Sequence, residues 1–108
     1  MNTLKHLREA SKKRQTLWDP EGKITPLYRS NELGGEVGEA LNVVKKLERA
    51  RMGIGGSTAT VRDLADELAD VIICVDLLAA EYGIDLDVAI RDKFNETSKK
   101  MGFDIFLD

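Results

Sequence analysis

Apolar residues recur at helical spacing in four stretches of the chain, and nowhere do they alternate as a half-buried strand requires. The first stretch runs from about Thr3 to Thr16 and is mostly polar, with Leu4, Leu7 and Ala10 on one side. A loop around residues 17–24 follows and carries Trp18, Pro20 and Gly22. Thr25 and Pro26 open the second stretch, threonine as a cap and proline in a first turn that has no use for its missing N–H. That pattern continues to about Met52. GIGGSTAT, residues 53–60, reads as a flexible connection. The third helix opens with Thr60-Val61-Arg62-Asp63, a capping-box-like start, and runs to Tyr82, where Gly83 ends it. The fourth begins near Asp85 and stops before Gly102. A tail, FDIFLD, remains, and its apolar residues suit docking on the body of the protein or on a partner chain. The prediction is an all-α fold of four helices, bundle-like, forming a single domain over residues 1–108.

On the third helix Val61, Leu64, Leu68, Val71, Ile72, Val75, Leu78 and Ala79 share about a third of the circumference, which predicts the core face. Asp63, Asp66, Glu67 and Asp70 form a stripe beside it. An acidic stripe is ordinarily a solvated face. Continued past Asp70, however, this one reaches Ile73, Cys74 and Leu77, so it enters the interior. Carboxylates at such a boundary are partly desolvated and need a cation beside them. The second helix repeats the arrangement: Glu32, Glu36 and Glu39 stand at i, i+4 and i+7, and Val43 carries the stripe from acid to apolar. Leu33, Val37, Ala40, Leu41, Val44 and Leu47 make the neighbouring apolar face. Like charges at this spacing repel and disfavour an isolated helix. Across an antiparallel hairpin the two stripes would bring four or more carboxylates to one volume. A geometric obstacle stands in the way. Glu39 is about 21 Å of helix from Gly53, whereas Glu67 is only about 10 Å from Thr60. Level stripes therefore require the segment 49–60 to fold back, or the second helix to end early.

Gly34, Gly35 and Gly38 lie among these acids, and each costs about 1 kcal/mol against alanine inside a helix. Bare backbone there would let another helix or a ligand approach closely. Net charge is −3, from 19 acids against 16 bases, without the basic face a nucleic-acid module needs. The expected partners accordingly include no nucleic-acid polymer. A single cysteine, Cys74, excludes an internal disulfide, suits a reducing compartment and reads as a small buried hydrophobe. The N-terminal residues are too polar for a signal peptide, and the longest apolar run, Val71–Ala80, is short for a bilayer span and contains Asp76. These features predict a soluble, cytoplasmic protein with no membrane partner. His6, the lone histidine, sits between Lys5 and Arg8 nearby and reads as a surface residue.

Oxygen-only clusters favour hard divalent cations, Mg²⁺ or Mn²⁺, over zinc or copper. Glu36-Val-Gly-Glu39 followed by Glu67-Leu-Ala-Asp70 reads E-x-x-E…E-x-x-D. With ELGGEVGEALNVVKKLERARMG, LADELADVIICVDLLA and KFNETSKKMGF around it, the pattern resembles the MazG-like all-α nucleoside triphosphate pyrophosphohydrolases, particularly their short, phage-type members. The resemblance spans most of residues 30–103. It implies Mg²⁺-dependent hydrolysis of a (deoxy)nucleoside triphosphate between the α and β phosphates, with Mn²⁺ as a substitute and with monophosphate and pyrophosphate as products. Glu36, Glu39, Glu67 and Asp70 would be the metal ligands, and one of them or Glu32 the general base. Lys93 matches a phosphate-contacting lysine of the family. Many relatives carry an asparagine four residues after it, where this chain has Thr97, and Asn95 is the nearest asparagine. Lys45, Lys46 and Arg49 follow the first motif and could reach phosphates or simply clothe the helix. Relatives place an aromatic near Trp18 to stack on the base, although Trp18 would equally fill a core.

A phosphoribosyl-ATP pyrophosphohydrolase shares the scaffold and metal chemistry, but GGEVGEALN and KFNETS lie closer to the MazG side. A ferritin-like di-iron site needs Glu-x-x-His on two helices, which one histidine cannot supply. A non-catalytic helical module binding metal or nucleotide would carry the same residues and differ only in lacking turnover. The apolar third helix needs more cover than a short chain supplies, and the resemblance implies the same, so a homodimer or homotetramer is expected.

Overall fold

The computed structural model describes residues 3–108, which form four α-helices and no strand. They are α1 (Thr3–Trp18), α2 (Pro26–Arg51), α3 (Val61–Glu81) and α4 (Leu86–Met101). The all-α expectation holds, with each helix boundary within two residues of its predicted place. None of these helices is long and apolar enough to cross a membrane. Contacts divide the chain into two units. One is Ile24–Leu78; the other joins the residues up to Lys23 with Ala79–Asp108.

The Ile24–Leu78 unit holds α2 and most of α3. Thr25 caps α2 from an extended backbone, its Oγ1 accepting from the Tyr28 N–H at 3.2 Å, with Pro26 in the first turn. At the other end Gly53, at φ +75°, closes a Schellman turn: its N–H donates to Ala50 and that of Ile54 to Arg49, both at 3.1 Å. The helix thus reaches its full predicted length, and the chain then doubles back. Gly56, Thr58 and Ala59 line one cleft together with Val43 and Lys46. Val43 lies about 12 Å of helix before Arg51, so the loop has returned by roughly that distance along α2. This fold-back, not an early helix end, brings the two acidic stripes level. α3 then starts on a reciprocal cap, Thr60 N–H to Asp63 Oδ2 at 2.8 Å and Asp63 N–H to Thr60 Oγ1 at 3.2 Å.

The interior of this unit is small: Ala40, Cys74 and Leu77, with the charged Arg29 and Asp76 also buried. Asp76 is only 1% exposed and holds a polar contact. Here the sequence expectation needs correcting. Helical spacing puts Val61 (74% exposed), Leu68 (50%) and Ile72 (52%) on the core face of α3, yet within one chain they face water. The rest of that face is covered, Ala79 fully and Leu64, Val71, Val75 and Leu78 by half, and the side onto which the acidic stripe runs is buried as well, through Cys74 and Leu77. α3 is apolar nearly all round after Val71, so periodicity alone could not rank its two apolar sides. The glycine expectation also changes. A Cβ added at Gly34, Gly35 or Gly38 meets nothing within 4 Å, so among the described residues no other part of the chain uses the bare backbone.

The second unit packs α1 with α4. The Lys5 N–H donates to Asp87 Oδ2 at 3.0 Å and the Arg8 guanidinium to the Ile84 carbonyl at 2.7 Å. Ser11, Ala79 and Ser98 are its buried residues. α1 runs two residues beyond the predicted end, which puts Trp18 in its last turn and not in the loop. Asp85 caps α4 through the Val88 N–H, and Gly102 ends it in the left-handed region at φ +73°. The tail is then tied back to the helix. The Asn95 carboxamide donates to the Leu107 carbonyl at 2.8 Å and accepts from the Leu107 N–H at 2.7 Å.

Candidate functional site

Within the Ile24–Leu78 unit, carboxylate oxygens of Glu36, Glu67 and Asp70 lie within 4.8 Å of one another. Glu36 comes from α2, Glu67 and Asp70 from one turn of α3, where the i, i+3 spacing puts both on the same face. Glu36 Oε2 and Glu67 Oε2 are both shut off from solvent and have no hydrogen-bond partner. Two buried carboxylate oxygens without partners are unfavourable in the absence of a cation. An all-carboxylate donor set of this kind fits a hard divalent ion, Mg²⁺ or Mn²⁺, and offers nothing to a soft one.

The electrostatics agree. The Glu36 carboxyl is held above its ordinary 4.5, first by desolvation, then by the Glu39, Asp70 and Glu67 charges. That of Glu67 is raised likewise, by desolvation and then by Glu39, Asp70 and Asp66. Glu39 therefore stands close to both although it falls outside the group of three. The thiol of Cys74 is pushed up to about 11, chiefly by burial and further by Glu32, Glu36 and Asp70. It stays protonated beneath the acids and is no nucleophile.

A pH dependence follows. The native chain holds protons on Glu36 and Glu67 that the unfolded chain releases above 4.5. Between the raised native pKa values and 4.5 the metal-free protein thus gains stability as pH falls, and loses it as pH rises. A divalent ion needs both groups ionised, so its affinity runs the opposite way. Thermal melts at pH 7.5 and pH 5 should show metal-free stability rising on acidification and the stabilisation by Mg²⁺ shrinking. The carboxyl of Glu48, lowered by its bond to Arg51, acts only below 4.5 and does not blur this window. Identical pH profiles for the parent and an E36Q/E67Q double variant would contradict the account.

Around the cluster, α2 supplies two further features. Glu32 accepts from the buried Arg29 guanidinium at 3.0 Å, an i, i+3 pair. Tyr28, Asn31, Glu32, Gly35, Glu36 and Glu39 line a cleft of about 350 Å³. A second cleft, of about 330 Å³, is formed by α2, the returning loop and the start of α3, and it shares Glu67 with the cluster. Lys46 lines that cleft; Lys45, one residue earlier, is exposed and does not. Tyr28 and Arg29 escaped the sequence reading. Arg29 was legible in principle as a base three residues before Glu32, whereas Tyr28 carries no signal until α2 is seen to place it beside Glu32 and Glu36.

The remaining sequence candidates lie in the other unit. Lys93 is exposed on α4 and pairs with Glu96 at 3.3 Å. Asn95 has both ends of its carboxamide engaged by Leu107, which leaves that side chain a tail-holding role in this conformation. Trp18 is 73% exposed with the Arg14 guanidinium 5.7 Å above its ring, so it fills no core.

A family model of the MazG nucleotide pyrophosphohydrolase domain matches residues 25–103. The chain belongs to the MazG family. Neither the curated proteins nor the solved structures compared with it gave a match. The MazG match begins at the Thr25 cap and ends just past α4, so it takes in the whole carboxylate cluster and both clefts beside it. α1 and Trp18 fall outside it. The all-α fold is that of a MazG domain, and the family implies a nucleotide pyrophosphohydrolase of the kind that typically depends on a divalent metal.

Proposed function

We propose that the protein hydrolyses (deoxy)nucleoside triphosphates between the α and β phosphates, giving monophosphate and pyrophosphate, and that it requires Mg²⁺, with Mn²⁺ as a substitute. The observation that carries this reading is the meeting of carboxylate oxygens of Glu36, Glu67 and Asp70 within 4.8 Å, where Glu36 and Glu67 each also have a buried, unpartnered Oε2. A bound divalent ion would offset triphosphate charge and lower the pKa of an attacking water. Glu36, Glu67 and Asp70 hold that ion, and Glu39 completes the set. Glu32, fixed by Arg29 and lining the same cleft as Glu36 and Glu39, accepts the proton of the water. Water adds to the α-phosphorus, the bond to the α,β-bridging oxygen breaks, and pyrophosphate leaves with the electron pair.

The same reading includes assembly into a homodimer or homotetramer. Leu41, Val44, Leu68 and Ile72 are apolar, exposed and carried by the helices that hold the acids, so a second copy would cover them. Product analysis on the purified protein tests the chemistry, using ribo- and deoxynucleoside triphosphates with Mg²⁺ and with EDTA. Metal-dependent monophosphate plus pyrophosphate is the expected result. Orthophosphate plus diphosphate would place the cleaved bond elsewhere. Turnover of phosphoribosyl-ATP alone would select the related biosynthetic activity.

A further inference from the structure

The cleft behind the carboxylate cluster holds a cation that the protein itself leaves unused. Of its acids, Asp63 is engaged by the Thr60 N–H and Asp66 by Arg62 at 3.2 Å. Lys46 is half-buried there and makes no ion pair or hydrogen bond among the described residues. A lysine kept half out of water beside open space is placed for an anion that arrives from outside. Glu67, which belongs to the carboxylate cluster, lines the same cleft. An anion in that cleft would meet two positive charges, the ammonium and the cation that Glu36, Glu67 and Asp70 would hold.

Position along α2 gives this a direction. Lys46 lies seven residues after Glu39 on one stripe, about 10 Å along the axis, and helical side chains lean toward the N-terminus. The ammonium therefore tilts back toward the acids. The first cleft, that of Tyr28 and Asn31, is lined by Glu36 and Glu39 themselves and extends from them toward the start of the same helix. We propose that Lys46 receives the leaving pyrophosphate, so that the substrate lies along α2 with its β and γ phosphates toward the returning loop and its nucleoside toward Tyr28. This rests on the pyrophosphohydrolase reading. It adds the polarity of the bound substrate and separates Lys46 from Lys45.

The test compares parent protein, K46Q, K46R and K45Q for binding of Mg²⁺ alone, of inorganic pyrophosphate with Mg²⁺, and of nucleoside monophosphate with Mg²⁺, by calorimetry, beside steady-state kinetics. K46Q should weaken pyrophosphate by roughly ten- to a hundredfold, the range of one charge-assisted hydrogen bond. It should leave Mg²⁺ alone and the monophosphate within about twofold. K46R should restore most of the loss, and K45Q should behave as the parent. Unchanged pyrophosphate affinity in K46Q, or an equal loss for the monophosphate, overturns the assignment while leaving nucleotide hydrolysis standing. A parent protein that turns over no nucleotide overturns both.

Discussion

Glu67→Gln should cost at least about a hundredfold in divalent-cation affinity and abolish metal-dependent hydrolysis, while the helical fold survives. Outer-shell partners of a metal are worth about ten- to a hundredfold, so a direct ligand should reach the top of that range or pass it. Glu67 has the most to lose. Its Oε2 is buried and unpartnered, it belongs to the three-carboxylate group, and it lines the cleft that holds Lys46. Glutamine keeps the shape and removes one of several mutually repelling charges, so the metal-free variant should melt no lower than the parent. Asp66→Asn is the control. Asp66 is exposed and paired with Arg62, and its loss should leave metal affinity nearly unchanged. Calorimetric titration with Mg²⁺ and Mn²⁺, product analysis and far-UV circular dichroism together decide it. A Glu67→Gln protein that binds metal like its parent would mean that the cluster is not the centre.

The acids of this site were legible in the sequence because helical spacing places them without knowledge of the partner helix. Glu36 with Glu39, and Glu67 with Asp70, are one turn apart, and any α-helix puts such residues on one face. The drift of the α3 stripe from acid to apolar leads to the buried Cys74 and Leu77, and of the acids Glu32, Glu36 and Glu67 are half-buried while Glu39, Asp66 and Asp70 stay exposed. What could not be read was the path of residues 52–60. A glycine-rich connection carries no periodicity, so the Schellman turn at Gly53 and the return beside Val43 and Lys46 appear only in three dimensions. The difference between Lys45 and Lys46 depends on that return. Asn95 shows the opposite limit. Its carboxamide is committed to Leu107, twelve residues on, and no local pattern announces a side chain that ties down backbone in an irregular tail. The exposed Leu68 and Ile72 show a third, because a helix apolar on several sides does not say which side its own chain will cover.

Arg29→Met should destabilise the Ile24–Leu78 unit by about 3 kcal/mol. Arg29 is 5% exposed, and its guanidinium donates to Glu32 at 3.0 Å. Breaking a buried pair by removing one partner costs about 3–5 kcal/mol, because the remaining charge stays desolvated. Glu32 keeps some access to water, with 28% of its side chain exposed, which sets the lower end of that range. Its surroundings work against relief: Glu36 and Glu39 continue the same stripe, so the carboxylate loses its counter-charge and keeps its like-charged neighbours. For a chain near this length the loss corresponds to a fall in Tm of about 12 °C or more. Glu32→Gln should cost clearly less, since glutamine can still accept from the guanidinium and Arg29 keeps a further interaction. The two variants and their double form a cycle measured by urea unfolding. The double variant should be more stable than Arg29→Met alone, because it no longer strands a carboxylate. Simple additivity would show that Arg29 stabilises α2 by packing and not by holding Glu32. In that case the placement of Glu32 as the group that takes the proton of the attacking water would lose its structural support.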